Sequence, residues 1–99
     1  MNTTATVYRM QDEGIEFNDM VNFNSSNWSN GEQLEGLCAA LYPEDLTDLA
    51  DHWYHGEYDG MEVVIFDAII LDDVGDGVLT EPIREQERMP LSEFVELYA

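Results

Sequence analysis

Apolar and polar residues alternate at the start of the chain, which is typical of β-strands. The alternation runs from Thr4 to Met10 and, after the turn-forming residues 11–14, resumes from Ile15 to Phe23. Alternation with period two predicts a strand in each segment, and the short turn between them predicts a hairpin. Residues 22–31 are rich in Asn, Ser and Gly and predict a loop, which Trp28 would pin onto the core.

The spacing then changes to that of helices. From Glu32 to Tyr42 apolar residues recur at i, i+3, i+4 and i+7, which predicts an amphipathic helix. These residues are Leu34, Leu37, Cys38 and Leu41. Pro43 ends that helix and suits the first turn of a second one, from Glu44 to His55. The apolar stripe of the second helix consists of Leu46, Leu49, Ala50 and Trp53. The pattern therefore predicts two consecutive helices joined by a sharp corner.

The last forty residues predict two more strands and a short helix. Met61 to Leu71 is rich in Val, Ile and Phe and predicts a central strand, followed by a turn at Asp72 to Gly77. Val78 to Met89 predicts an antiparallel edge strand, and Pro90 to Tyr98 a C-terminal helix. We expect one α+β domain spanning residues 1–99. It would have an antiparallel sheet of about four strands, two central helices and a short C-terminal helix.

Composition adds an extreme charge to this picture. The 99 residues contain 22 Asp and Glu but only three Arg and no Lys, for a formal net charge of -19. The apolar fraction is 44% and eleven residues are aromatic, so the chain is a folded domain rather than a disordered acidic tail. Such unbalanced charge opposes the compact state through self-repulsion. Solubility needs far less charge, so the charge itself is a candidate for the function.

The acidic residues are concentrated where cations are absent. No Lys or Arg occurs between Arg9 and Arg84, and 13 of the 22 carboxylates lie from Glu32 to Asp76. On the second predicted helix, Asp45, Asp48 and Asp51 recur every third residue. That spacing corresponds to about 4.5 Å along the axis, comparable with the roughly 3.4 Å per charge of one DNA strand. The three arginines are expected to pair locally with carboxylates such as Glu13, Glu85 or Glu87.

This pattern predicts a binding surface that presents negative charge as nucleic acid does. The candidate partner-binding residues are Glu32, Glu35, Glu44, Asp45, Asp48, Asp51, Glu57, Asp59, Asp72, Asp73 and Asp76. The expected partner is a basic nucleic-acid-binding protein or complex, whose opposite potential would steer the encounter. Neither nucleic acid itself nor a membrane is an expected partner. Trp28, Tyr54 and Tyr58 are candidate apolar anchors of the interface, or alternatively core residues.

In size, charge and scarcity of lysine the chain resembles the small acidic inhibitors of phages and mobile elements that mimic DNA. This class includes anti-CRISPR proteins, anti-restriction proteins and inhibitors of DNA-repair enzymes. The resemblance covers composition, length and charge distribution but no motif, so no residue role is carried over from it. It implies stoichiometric inhibition of a host defence complex, with a CRISPR effector as the first candidate target and a restriction enzyme as the next.

Two other functions are compatible with the same composition. A domain adapted to high salt would also lack lysine and carry surplus Asp and Glu, since salt screens the self-repulsion. An antitoxin or adaptor could neutralise a basic partner without imitating DNA. Unfolding in dilute buffer would favour the first alternative, whereas failure of duplex DNA to compete for the partner would favour the second.

Sites for catalysis or cofactors find little support in the sequence. Residues 72–77 resemble a calcium loop, but Val74 and Ile83 occupy positions where an EF-hand requires oxygen ligands. His52 and His55 are two histidines without a further His or Cys, which is weak evidence for a metal site even with Asp48, Asp51 or Glu57 beside them. No nucleophile motif or phosphate-binding loop occurs. We expect no enzyme activity, cofactor or dedicated metal.

The sequence also predicts the compartment. The first residues lack the features of a signal peptide, and the apolar runs on either side of Asp67 are too short to span a bilayer. The single cysteine, Cys38, excludes an intramolecular disulfide and lies in an apolar stretch, which predicts a small buried side chain. We expect a soluble cytoplasmic protein, in the host cytoplasm if a phage encodes it.

Overall fold

A computed structural model of the protein describes residues 3–17, 25–26, 33–34, 37–73 and 77–98. The described strands are β1 (Thr3–Asp12), β2 (Ser25–Ser26), β3 (Gln33–Leu34), β4 (Leu37–Ala39), β5 (Met61–Asp73) and β6 (Val78–Pro90). The described helices are α1 (Pro43–Tyr54) and α2 (Leu91–Tyr98). Strands β1, β5, β6 and β4 form a four-stranded antiparallel sheet in that order, and β2 pairs with β3. The predicted α+β class is confirmed.

The most apolar segment of the chain forms the centre of the sheet. In β5, residues Val63 to Phe66 are all buried, and the strand is hydrogen-bonded to β1 on one side and β6 on the other. The predicted central strand is confirmed, and it continues two residues further, to Asp73. Its partner β6 pairs with the three-residue β4 only at Val78 to Thr80. Among the described residues the rest of β6 is an edge, as predicted.

The sheet curls until its two outer strands approach each other. Beyond β4, Ala40 and Tyr8 of β1 exchange two backbone hydrogen bonds of 2.9 and 2.7 Å. Three register shifts interrupt the pairing of β5 with β6, and such bulges bend strands and increase their twist. The inner face encloses a core of Val7, Leu37, Ala39, Val64, Phe66, Ala68 and Val78.

Both described helices cover the outer face of the sheet. Leu46 and Ala50 of α1 and Leu91 and Phe94 of α2 are completely buried there, in a cluster with Val63. Pro43 stands at the start of α1, where its missing N–H costs no hydrogen bond, and the helix ends at the left-handed residue His55 (φ 50°). The second central helix and the C-terminal helix are confirmed, but the Trp53 side chain, predicted to lie in the buried stripe, is 40% exposed.

The predicted helix from Glu32 to Tyr42 is wrong. Its described residues up to Ala40 form β3, β4 and the bridge at Ala40, and the residues from Leu37 to Ala40 are at most 1% exposed. A segment buried on all sides has no polar face for a helix to present, and it is instead held by partners distant in the sequence. Thr80 Oγ1 donates to the Leu37 carbonyl (2.7 Å), and Arg9 Nη1 donates to the Cys38 carbonyl (2.6 Å).

The predicted hairpin from β1 to the segment Ile15–Phe23 is also not observed among the described residues. Strand β1 pairs with β5, residues 15–16 are irregular, and Phe17 is helical; residues 18–23 lie outside the described residues. The alternating apolar residues there pack onto the inner core instead, since Phe17 contacts Phe66 edge to face at 5.8 Å. The predicted loop at 22–31 contains the short strand β2, and its Trp28 lies outside the described residues.

Candidate partner-binding surface

Helix α1 presents its carboxylates on the side opposite its buried residues. At about 100° per residue, Glu44, Asp48 and Asp51 fall within about 60° of the helix circumference, with Asp45 beside them. Leu46 and Ala50 lie on the opposite side, where they enter the core. We call Glu44, Asp45, Asp48 and Asp51 the acidic ridge. All four residues are exposed, and the packing of the apolar stripe fixes the direction in which they point.

The acidic ridge borders a groove that is lined by both acidic and apolar side chains. The groove has a volume of about 370 Å³ and lies between the N-terminal half of α1 and the adjoining ends of β5 and β6. It is lined by Leu41, Tyr42, Asp45, Asp48, Leu49, Asp73, Gly77 and Val78. Carboxylates from two separate elements, α1 and β5, therefore face one concavity together with an exposed aromatic ring.

The other predicted site residues are divided between exposed turns and undescribed positions. Glu57 and Asp59 are exposed in the turn between α1 and β5, and Asp72 is exposed beside Asp73 at the end of β5. These three residues do not line the groove. Glu32, Glu35 and Asp76 lie outside the described residues. The structure thus brings together Asp45, Asp48 and Asp73 of the predicted set.

The arginines of the chain are engaged on the sheet, away from the ridge. Arg88 Nη1 lies 2.7 Å from Glu62 and its Nη2 lies 2.5 Å from Glu85, which confirms the expected pairing with Glu85. Arg84 pairs with Asp67 at 2.9 Å. Arg9 bonds the carbonyl of Cys38, and burial lowers the pKa of its guanidinium.

Because these three residues are all the Lys and Arg of the chain and bond elsewhere, no Lys or Arg neutralises the acidic ridge, although His52 lies in the last turn of α1. Within the described ranges, Arg84 and Arg88 form ion pairs with Asp67, Glu62 and Glu85. Glu44 instead adjoins an aromatic group: burial raises the pKa of the Tyr8 hydroxyl, and Tyr98 and Glu44 raise it further. The ridge is therefore a region of excess negative charge.

Two of the three aromatic candidates from the sequence, Tyr54 and Tyr58, lie within the described residues, and neither is exposed; Trp28 lies outside them. Tyr54 and Tyr58 are partly buried against the outer core, so the core interpretation holds for both. Tyr42 is instead 59% exposed and lines the groove. A signal was present in the sequence, since Tyr42 directly precedes Pro43. The residue before a proline is pushed out of helical geometry, and Tyr42 is extended (φ −123°, ψ 142°).

Other chemistry receives no support from the described residues. Among them, no three His, Cys, Asp or Glu side chains are arranged to hold a metal ion, and His52 and His55 are exposed. Cys38 is completely buried, as predicted. Neither described helix has the length and apolar character needed to cross a membrane.

Comparison with models of protein families, with curated proteins and with solved structures finds no match to this chain.

Proposed function

We propose that the protein is a nucleic-acid-mimicking inhibitor that occupies the basic DNA- or RNA-binding groove of a host defence complex. A CRISPR effector is the first candidate target and a restriction enzyme the next. The observation that carries the proposal is the acidic ridge, whose four carboxylates point outward from one helix while the three arginines are engaged elsewhere.

Two features of the described surface support this function. Glu44 and Asp51 are separated by about 10 Å along the helix axis, with Asp48 between them, so charge is repeated at intervals similar to those of phosphates. Asp72 and Asp73 continue the negative surface at the end of β5. A cleft lined by Lys and Arg would be attracted to such a surface at long range, and the attraction would weaken as salt screens it.

The first prediction is that neutralising the ridge weakens competition with DNA. The triple variant D45N/D48N/D51N should raise the concentration needed for half-maximal competition about tenfold, because three exposed charge pairs contribute about 0.5 kcal/mol each. The measurement is fluorescence anisotropy of a labelled 30-base-pair target duplex bound to purified, guide-loaded CRISPR effectors and to restriction enzymes. The unlabelled protein serves as competitor.

The matched control is E87Q/E93Q/E96Q, which removes the same charge from exposed positions on β6 and α2. This control should compete nearly as well as the wild type. Equal losses in both triple variants would mean that only net charge matters and would contradict a patterned mimic. If a basic partner binds the protein while duplex DNA fails to displace it, the function is that of an antitoxin or adaptor.

A further inference from the structure

The groove beside the acidic ridge combines carboxylates with apolar side chains in one lining. Leu41, Leu49 and Val78 contribute aliphatic surface to it, and Tyr42 contributes a ring that is 59% exposed. Its volume of about 370 Å³ lies at the small end of the range for ligand pockets. Carboxylates form part of the same lining.

Charge complementarity selects the occupant. The described residues hold no cluster of three acidic, His or Cys side chains suited to a metal ion. A second copy of the chain would bring another -19 of net charge, and a nucleic acid would bring phosphates. A cationic side chain with an apolar stem matches the lining, since the stem can cover Leu41 and Leu49 while its charge meets the carboxylates.

Arginine fits this lining better than lysine. Asp45 and Asp48 are three residues apart on α1, so their β-carbons are about 5–6 Å apart, and both carboxylates line the groove. A planar guanidinium carries five N–H donors in a rigid fork and can bond two carboxylates along its edges. It can also stack on the Tyr42 ring, whereas an ammonium is a more strongly hydrated point charge.

We propose that this groove binds an arginine side chain of the partner, with Asp45 and Asp48 bonding the guanidinium and Tyr42 stacking against it. The inference rests on the proposed function, in that the partner is a basic nucleic-acid-binding protein. It adds that the contact is specific for arginine and located at the groove, rather than spread over the acidic surface.

The second prediction tests this with peptides that carry one cation each. Acetyl-Gly-Arg-Gly-amide and acetyl-Gly-Lys-Gly-amide are titrated into ¹⁵N-labelled protein at 0.15 M NaCl, and amide shifts are followed by NMR. We expect the shifts to centre on Tyr42, Asp45 and Asp48, and the arginine peptide to bind about two- to fivefold more tightly, as expected of an exposed cation–π contact. Y42A should remove that preference and Y42F should keep it.

The charge-matched pair D48N and D51N locates the contact, because Asp48 lines the groove and Asp51 does not. D48N should weaken the arginine peptide more than D51N, with the amide spectra reporting that each variant is folded. Equal affinity for the two peptides, or shifts spread evenly over all acidic positions, would overturn the groove assignment. Neither result would affect the duplex competition described above, so the two proposals fail separately.

Discussion

At the scale of single residues, the carboxylate of Asp67 stabilises the sheet by accepting hydrogen bonds from neighbouring strands. Asp67 lies in the central strand β5 and receives hydrogen bonds from Arg84 (2.9 Å), Thr6 (3.4 Å) and the Gln86 amide. The hydrogen bond from Arg84, followed by that from Gln86, lowers the pKa of Asp67. These donors belong to β1 and β6, so one charged side chain joins β5 to both of its neighbouring strands.

The third prediction follows from the direction of that pKa shift. When the pKa of an acid is lowered in the folded state, its stabilising contribution is present above the unfolded pKa of about 3.9. That contribution is lost as the pH falls through the folded value. D67N should therefore be less stable than the wild type at pH 7, and the two stabilities should converge as the pH falls through the lowered folded pKa of Asp67.

Urea unfolding from pH 7 to pH 2 measures this convergence. D59N is the matched control, because it removes one charge from an exposed turn. A stability difference between D67N and the wild type that stayed constant over the whole range would contradict the assignment of the shift to Asp67.

At the scale of elements, the predictions succeeded where local periodicity was decisive. β5, α1 and α2 could be predicted from the sequence because each has a long apolar pattern and clear boundaries, such as Pro43 at the start of α1. β4 could not be predicted from the sequence, because a short apolar run is compatible with a buried strand as well as with a helix. What decides between them is contact with residues far along the chain, chiefly Thr80 and Tyr8.

The candidate site divides in the same way. The acidic ridge was predicted correctly as one helix face, since residues three or four apart on a helix are neighbours. The groove could not be predicted, because it requires the end of β5 to meet α1 and so brings Asp73 close to Tyr42. No local sequence pattern predicts this contact between the end of β5 and α1, because it depends on how the sheet curls.

The fourth prediction concerns the attachment of β4 to β6. Thr80 is completely buried and its hydroxyl donates to the Leu37 carbonyl at 2.7 Å. T80V keeps the shape but removes the donor, so we expect a loss of about 1–3 kcal/mol in the free energy of unfolding. Urea denaturation measures it, with T4V as the control at an exposed position of β1. Equal stabilities for the two variants would contradict a structural role for this bond.

At the scale of the whole molecule, charge opposes folding while the two cores support it. Glu44, Asp45 and Asp51 each lie three or four residues from Asp48, which makes three like-charge pairs on the ridge. At about 0.2–0.5 kcal/mol each, these pairs cost about 1 kcal/mol. The repelling carboxylates lie on the surface, whereas the largest buried side chains, Phe66 and Phe94, are apolar.

The fifth prediction is that salt raises the melting temperature of a protein that is already folded without it. Screening of about 1 kcal/mol of repulsion should raise Tm by about 4–8 °C between 10 mM and 0.5 M NaCl. Circular dichroism during thermal unfolding measures the change, and D45N/D48N/D51N should show a smaller increase. An unfolded protein in dilute buffer would instead indicate adaptation to high salt.

The closure of the sheet at Ala40 has a consequence for anyone who wishes to shorten this molecule. Only Leu41 and Tyr42 separate the Tyr8–Ala40 bridge from the start of α1, so this bridge fixes the position of the N-terminal end of the helix. As an isolated twelve-residue peptide, α1 would be mostly non-helical, because helices of that length are marginally stable in water and its like charges repel each other. The spatial arrangement of the carboxylates on α1 therefore cannot be reproduced without the strands that hold the helix in place.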